Sequence, residues 1–139
     1  MRFRYLDHTA DAMIESYGKT LEEAFVNACL AMFNLLTDID KVKAVKKHTI
    51  SISSNKHEKL LFDFFDELLF YLDTEHIIFC KFENVSITQK NEKFILKCNA
   101  FGDTASNYER HGDVKAPTYN EMKIEKTRTG YKIRAVVDI

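Results

Sequence analysis

The sequence is short of the residues that mark linkers, disulfide scaffolds and membrane spans. One proline and four glycines in 139 residues argue against a long disordered linker. Three cysteines, Cys29, Cys80 and Cys98, are odd in number and form no C-x-x-C pair, which favours free buried thiols in a reducing compartment. No apolar run approaches the roughly 20 residues that span a bilayer, and no signal peptide is apparent. We therefore expect a cytoplasmic protein with one domain, residues 1–139.

A charge excess of one sign is also missing. The 20 basic and 21 acidic residues give a formal net charge of −1, whereas proteins that bind nucleic acid through phosphates usually carry a basic excess on one face. The densest basic run, Lys41 to His48, is explained more simply as a solvated strand or loop. Composition alone thus gives no sign of direct nucleic-acid binding.

Common catalytic and nucleotide-binding motifs are absent from the sequence. It contains no P-loop, no G-x-G-x-x-G fingerprint, no G-x-S-x-G elbow and no aromatic RNA-binding strand motif. None of the five histidines forms an H-x-x-x-H pair. A function must therefore be sought in a less familiar arrangement.

Helix and strand patterns alternate along the chain. A capping box at Thr20 to Glu23 and apolar residues at helical spacing predict a helix from Leu21 to Leu36. A second amphipathic pattern predicts a helix from Lys56 to Asp73. The main predicted strands are Ala12–Tyr17, Val45–Ser53, Ile77–Thr88, Lys93–Phe101, Tyr119–Lys126 and Tyr131–Asp138.

Polar turns join four of these strands into two hairpins, with turns at Gln89–Glu92 and Thr127–Gly130. The predicted order is β-β-α-β-α-β-β-β-β. It indicates an α+β fold, in which a mainly antiparallel sheet is covered by two helices. Two strand-helix-strand units come first, and a C-terminal β-meander follows them.

The two ends of the chain carry carboxylates that could form one site. Near the start lies Asp7-His8-Thr9-Ala10-Asp11, and the sequence ends in Asp138-Ile139 directly after an apolar run. If the last strand lies beside the segment carrying Asp11, three carboxylates converge, and a cation would offset their repulsion. His8 and Asp11 also suit an ordinary turn, so this pair alone is a weak signal.

Two other places carry candidate functional residues. Asp63 and Glu67 share a face of the second predicted helix and suit metal binding or acid–base chemistry, although a solvated acidic face explains them as well. The irregular stretch Gly102 to Pro117 contains His111 and Lys115. It is a candidate functional loop or an ordinary mobile one.

Six segments, taken together, resemble one protein family. They are His8–Asp11, Gly18–Phe25, Ala31–Asp38, Asp63–Tyr71, Val114–Tyr119 and the terminal pair Asp138-Ile139. In this combination the sequence resembles archease over its whole length. It departs from the family pattern at Asn120, where the family often has histidine.

The resemblance implies a protein that is not itself an enzyme. Archeases assist the GTP-dependent RNA ligase of tRNA splicing, by promoting its guanylylation and repeated turnover, and can broaden its nucleotide use. The resemblance implies a divalent-cation site formed by Asp11, Asp138 and Ile139, and a functional role for Lys115. Calcium is the first expectation, with magnesium or manganese as alternatives, since oxygen ligands suit hard cations. RNA is expected to be contacted only through the ligase.

Two alternative functions remain open from the sequence. One is a stand-alone metal-dependent phosphohydrolase that uses the same carboxylates, with His8 or His111 as the acid–base group. The other is a chaperone-like interaction module, in which the acidic ends are merely surface.

Overall fold

A computed structural model describes residues 1–8 and 10–139, so Thr9 of the His8–Asp11 motif lies outside the described residues. The predicted order of strands and helices is confirmed. The strands are β1 (Phe3–Leu6), β2 (Ala12–Gly18), β3 (Lys46–Ser54), β4 (Ile77–Lys90), β5 (Lys93–Thr104), β6 (Ala116–Lys126) and β7 (Tyr131–Asp138). The helices are α1 (Leu21–Asn34) and α2 (His57–Glu75).

Both helices begin where the sequence predicts, within one residue. At the start of α1, Thr20 Oγ1 accepts a hydrogen bond from Glu23 N at 3.1 Å, as expected for a capping box. The helix ends earlier than predicted because Leu35 N donates to Met32 O, which tightens the final turn. The second helix runs longer than predicted and stops at His76, which adopts a left-handed conformation with φ of 58°.

The strands form two antiparallel sheets, ordered β1-β2-β7-β6 and β3-β5-β4. The last four strands are therefore two hairpins in different sheets, not one continuous meander. The division arises because β5 pairs with both β3 and β4, which leaves it no free edge for β6. The connection at residues 105–115 carries the chain to the other sheet.

The irregular stretch is shorter than the predicted Gly102 to Pro117. Gly102 and Asp103 continue β5, because they pair with Phe79 and Ile78 of β4. A side chain at Gly102 would meet Ile78 O at 2.0 Å, so only glycine permits this close approach. The connecting segment that remains still contains His111 and Lys115.

The main core lies between the helices and the sheets. This core is rich in phenylalanine, and its fully buried rings are those of Phe25, Phe33, Phe64, Phe65 and Phe79. Cys29 and Cys98 are buried and Cys80 is half-buried, and all three are free thiols. Burial raises the pKa of each thiol, and that of Cys98 rises to about 11.

The β1-β2-β7-β6 sheet has one face against α1 and one facing away. On the helix side, Ser16 Oγ donates to Ala24 O at 2.9 Å. Because side chains alternate along a strand and paired residues share a face, the opposite side presents Arg4, Glu15, Tyr17, Lys123, Glu125, Lys132 and Arg134. We call these residues the outer face. No helix in the described residues is long and apolar enough to cross a membrane.

Candidate functional site

The acidic residues from the two ends of the chain adjoin the same end of two paired strands. Strands β2 and β7 pair antiparallel, with Ala12 opposite Val137. Asp11 directly precedes Ala12, and Asp138 directly follows Val137, so both residues adjoin the last pair of this ladder. The last strand therefore does lie beside the segment that carries Asp11.

Lys115 meets the end of β7 through its backbone. Its N–H donates to Asp138 O at 2.7 Å, and the next residue, Ala116, pairs with Asp138. The next residue of the chain after Asp138 is Ile139, which is 48% exposed. The Lys115 side chain is exposed as well. Of the four residues for which the family resemblance implies a role, Lys115 and Asp138 are in direct contact and Ile139 follows Asp138. Asp11 directly precedes the strand that pairs with β7.

His8 reaches β6 from the connection between β1 and β2. Its Nε2 lies 3.0 Å from Oε2 of Glu121. Its Nδ1 is buried and has no hydrogen-bond partner among residues 1–8 and 10–139. Glu121 lies in an irregularity of β6, between Thr118 and Lys123, and has a φ of 56°. The contact fastens the start of the Asp11 segment to β6.

Glu121 is a site residue that sequence reasoning missed. Residues 119–126 were predicted as a plain strand, and a glutamate at positive φ is uncommon. No local pattern in the sequence marks the bulge or the partner of Glu121. Only the folded chain brings it to His8.

The donor set at the sheet edge suits a hard cation. The predicted ligands are the side-chain carboxylates of Asp11 and Asp138 and the main-chain carboxylate of Ile139. All are oxygen donors, which calcium and magnesium prefer. Among residues 1–8 and 10–139, no group of three His, Cys, Asp or Glu side chains could hold a metal. The predicted set has only two such side chains, so its metal role stays a prediction.

Comparisons with known proteins decide the family. The family model described as "Archease protein family (MTH1598/TM1083)" matches residues 3–139. The chain belongs to the archease family. "Protein archease" of Methanosarcina mazei is 36% identical over 140 residues, covering 99% of this chain and 96% of that relative.

Two solved structures resemble this archease. The solution structure of Methanobacterium thermoautotrophicum protein 1598 matches with a TM-score of 0.86 and 40% identity, covering 99% of this chain and 98% of that one. A Thermotoga maritima archease, described as a possible chaperone, matches with a TM-score of 0.62 and 18% identity. It covers 100% of this chain and 98% of that one and shows the shared fold alone. These matches confirm the α+β fold class.

Asn120, the position at which we expect a departure from the family pattern, lies in the same bulge as Glu121. Its side chain is exposed, and its backbone N–H donates to Thr118 Oγ1 at 3.0 Å. Next to it, the ring of Tyr119 stacks on Phe62 of α2 at 4.2 Å. The bulge is thus held by α2 on one side and by His8 on the other.

Other predicted residues of this archease do not join the carboxylates. His111 is exposed, and its backbone N–H donates to Leu36 O at 2.7 Å. Within residues 1–8 and 10–139, its side chain makes no hydrogen bond or ion pair that would prepare it for acid–base work. A role for His111 stays a prediction.

Glu67 of this archease lies in a groove between α2 and β3, away from Asp11 and Asp138. The groove is lined by Ile52, Ser53, Asp63, Asp66, Glu67 and Phe70. Asp63 already accepts hydrogen bonds from Ser54 Oγ and Lys59 Nζ, both at 2.8 Å. The structure therefore uses Asp63 to join α2 to β3, and a further role for Glu67 stays a prediction.

Proposed function

We propose that this archease is a protein cofactor of the GTP-dependent tRNA-splicing RNA ligase, with no complete active site of its own. It promotes guanylylation of the ligase and its repeated turnover. The supporting observation is the pairing of β2 with β7, whose last pair, Ala12 and Val137, is directly adjoined by Asp11 and Asp138.

Asp11, Asp138 and the main-chain carboxylate of Ile139 would hold a divalent cation, with calcium as the first candidate and magnesium or manganese as alternatives. A bound cation supplies positive charge that offsets the carboxylates and attracts phosphate groups of the partner's nucleotide. Lys115 adds a point charge beside the same edge. His8 acts indirectly, because its contact with Glu121 fastens the segment that leads to Asp11.

A multiple-turnover ligation assay with the cognate ligase, GTP and metal tests the proposal. Asp11→Asn and Asp138→Asn keep side-chain size but remove the charges, and each should abolish stimulation of guanylylation. Asp73→Asn, at an exposed position on α2, is the matched control and should stimulate like the wild type. Full stimulation by both site variants would contradict the metal-site proposal.

A chaperone-like module is the second candidate function. The Thermotoga maritima relative is described as a possible chaperone, and this chain exposes large apolar side chains, such as Phe70 at 56% and Tyr119 at 50%. Such a module should suppress aggregation of unrelated unfolded proteins, equally with and without chelator. Activity confined to the ligase and lost with chelator would exclude this alternative.

A further inference from the structure

A cleft of about 640 Å³ lies at the opposite end of β2 and β7 from Asp11 and Asp138. Gly18 pairs with Tyr131 at this end, while Ala12 pairs with Val137 at the other. The cleft opens between the start of α1, the turn between β6 and β7, and the part of the β4–β5 hairpin near its turn. Its volume lies in the range of small-ligand sites, roughly 300–1,000 Å³.

Three cationic side chains line this cleft: Lys19, Lys126 and Arg128. All three are exposed, and none forms an ion pair with another described residue. Glu22 is the one carboxylate among the described lining residues. The cleft therefore has a surplus of positive charge that nothing in the described chain neutralises.

The β6–β7 hairpin supplies a second basic segment. Residues 126–134 contain Lys126, Arg128, Lys132 and Arg134 and no carboxylate. Its cations are separated by other residues, so the segment is less conspicuous than the Lys41–His48 run. Folding adds Lys19 from the β2–α1 connection, which makes it a cluster.

Aromatic rings accompany the charges in the cleft. His57 and Phe94 contact each other with ring centroids 4.0 Å apart, and Tyr131 also lines the cleft. All three are half-buried, so each ring retains accessible surface. Aromatic side chains beside unpaired cations are what single-stranded nucleic-acid sites use, because bases stack on rings while phosphates meet cations.

Two more cations lie beyond the cleft, but both are paired with carboxylates. A neighbouring cleft of about 500 Å³ shares Lys19 and Tyr131 with the first and adds Glu23 and Lys132. Lys132 Nζ lies 3.7 Å from Glu125 Oε2, and Arg134, on the same outer face, lies 3.8 Å from Glu15 Oε2. Among the described lysine and arginine side chains that line the two clefts, those without an ion pair are therefore Lys19, Lys126 and Arg128.

We propose that this cleft binds single-stranded RNA, with its phosphates on Lys19, Lys126 and Arg128 and a base against the aromatic wall. The inference goes beyond the proposed function, which leaves RNA contact to the ligase. RNA binding at the cleft requires neither ligase nor metal. An experiment can therefore exclude RNA binding without excluding ligase activation, and another can exclude ligase activation without excluding RNA binding. A purely acidic peptide such as poly-glutamate would also meet the charges, but its side chains have no flat rings to place against the aromatic wall.

Fluorescence anisotropy with a labelled single-stranded RNA 12-mer tests this inference, using the full chain and chelator without ligase. The wild type should bind saturably, and its affinity should fall with salt, with a logarithmic slope of roughly −2 for three phosphate contacts. Lys126→Glu with Arg128→Glu should weaken binding at least tenfold. The matched control is Lys41→Glu with Lys43→Glu, a second exposed pair with the same spacing, and it should bind within twofold of the wild type.

Several results would overturn the proposal. The first is an absence of saturable RNA binding by the wild type. The second is an equal loss of RNA affinity in the two charge-reversed double variants. The third is displacement of the RNA by poly-glutamate or by GTP at equal charge concentration. Crosslinking of 4-thiouridine RNA gives an answer that does not depend on folding of variants. Crosslinks within residues 126–131 support the cleft, whereas crosslinks confined to residues 41–48 would assign RNA to the other basic run.

Discussion

His8 Nε2 and Glu121 Oε2 lie 3.0 Å apart, although 113 positions separate the two residues. The contact joins the β1–β2 connection to β6. Strands β1 and β6 are the two edge strands of the β1-β2-β7-β6 sheet. Between them run β2 and β7, whose ends carry Asp11 and Asp138. The contact therefore spans the strands that form the candidate cation site and fastens the segment leading into Asp11.

Loss of the His8–Glu121 contact should weaken cation binding without removing a ligand. We expect His8→Ala and Glu121→Ala each to lower calcium affinity roughly tenfold, as is typical for residues that orient ligands. The double variant should be no worse than either single one, because all three break the same contact. Isothermal titration calorimetry measures the affinities, and additive losses would show that the two residues act separately.

A C-terminal extension should displace the main-chain carboxylate of Ile139 from the proposed site. Adding Gly-Ser-Gly after Ile139 should reduce cation affinity and ligase stimulation, because a neutral peptide group replaces a charged ligand. The same three residues added before Met1 serve as the control. Equal calcium affinity of the two extended proteins, measured by calorimetry, would exclude the main-chain carboxylate as a ligand.

Glu15 on the outer face should make stability depend on acid pH. Its side chain is 3% exposed and accepts a hydrogen bond from the Tyr17 hydroxyl. It also forms an ion pair with Arg4, in which Glu15 Oε1 lies 2.7 Å from Arg4 Nη2. The Tyr17 hydrogen bond, followed by the Arg4 interactions, holds the pKa of Glu15 below its ordinary value of 4.5 despite burial. The folded state thus binds fewer protons than the unfolded state, so this stabilisation is complete above pH 4.5 and is lost as pH falls through the folded pKa.

Glu15→Gln should lower the free energy of unfolding by about 2 kcal/mol at pH 7, the usual contribution of hydrogen bonds to a charged group. The difference from the wild type should shrink as the pH is lowered from 5 to 3. Urea denaturation at each pH measures both effects. Glu125→Gln, at a more exposed position on the same face, is the control and should cost less than about 1 kcal/mol. A difference that stays constant with pH would contradict the assignment.

The three cysteines should differ in reactivity because burial suppresses the thiolate. Cys29 is completely buried and Cys98 is nearly so, whereas Cys80 is half-buried. At pH 8 a thiol-reactive dye should label at most Cys80 in the native protein and all three cysteines in guanidinium chloride. Mass spectrometry of labelled peptides identifies the sites. Rapid labelling of Cys29 in the native protein would show that the core opens locally.

His76→Gly should stabilise the protein. His76 is exposed and follows the last residue of α2 with φ of 58° and ψ of 38°. This left-handed backbone conformation costs free energy for any residue that has a Cβ atom. Glycine should raise the free energy of unfolding by about 0.5–1 kcal/mol and Tm by roughly 2–4 °C. Asn91→Gly, at the same φ of 58°, should change Tm less, because asparagine tolerates this conformation. Calorimetry compares the two variants.

The candidate site was predictable only in part. The carboxylates of Asp11 and Asp138 are visible in the sequence, and the alternating pattern of β7 indicates a strand leading to Asp138. The sequence does not show which strand pairs with β7. The prediction that the carboxylates converge therefore depended on the assumption that the last strand lies beside the segment carrying Asp11. Glu121 and the cleft around Arg128 escaped prediction, because a bulge and a cluster of separated cations leave no local pattern.

By itself, the sequence determined the number, type and order of the helices and strands. These follow from apolar spacing, capping and turn residues, which act over a few neighbouring positions. Only the tertiary structure decided that the strands divide into two sheets, that the strand after Asp11 pairs with the strand that ends at Asp138, and that His8 meets Glu121. These relationships depend on strand register and backbone pairing between residues far apart in the chain, which local side-chain patterns do not encode.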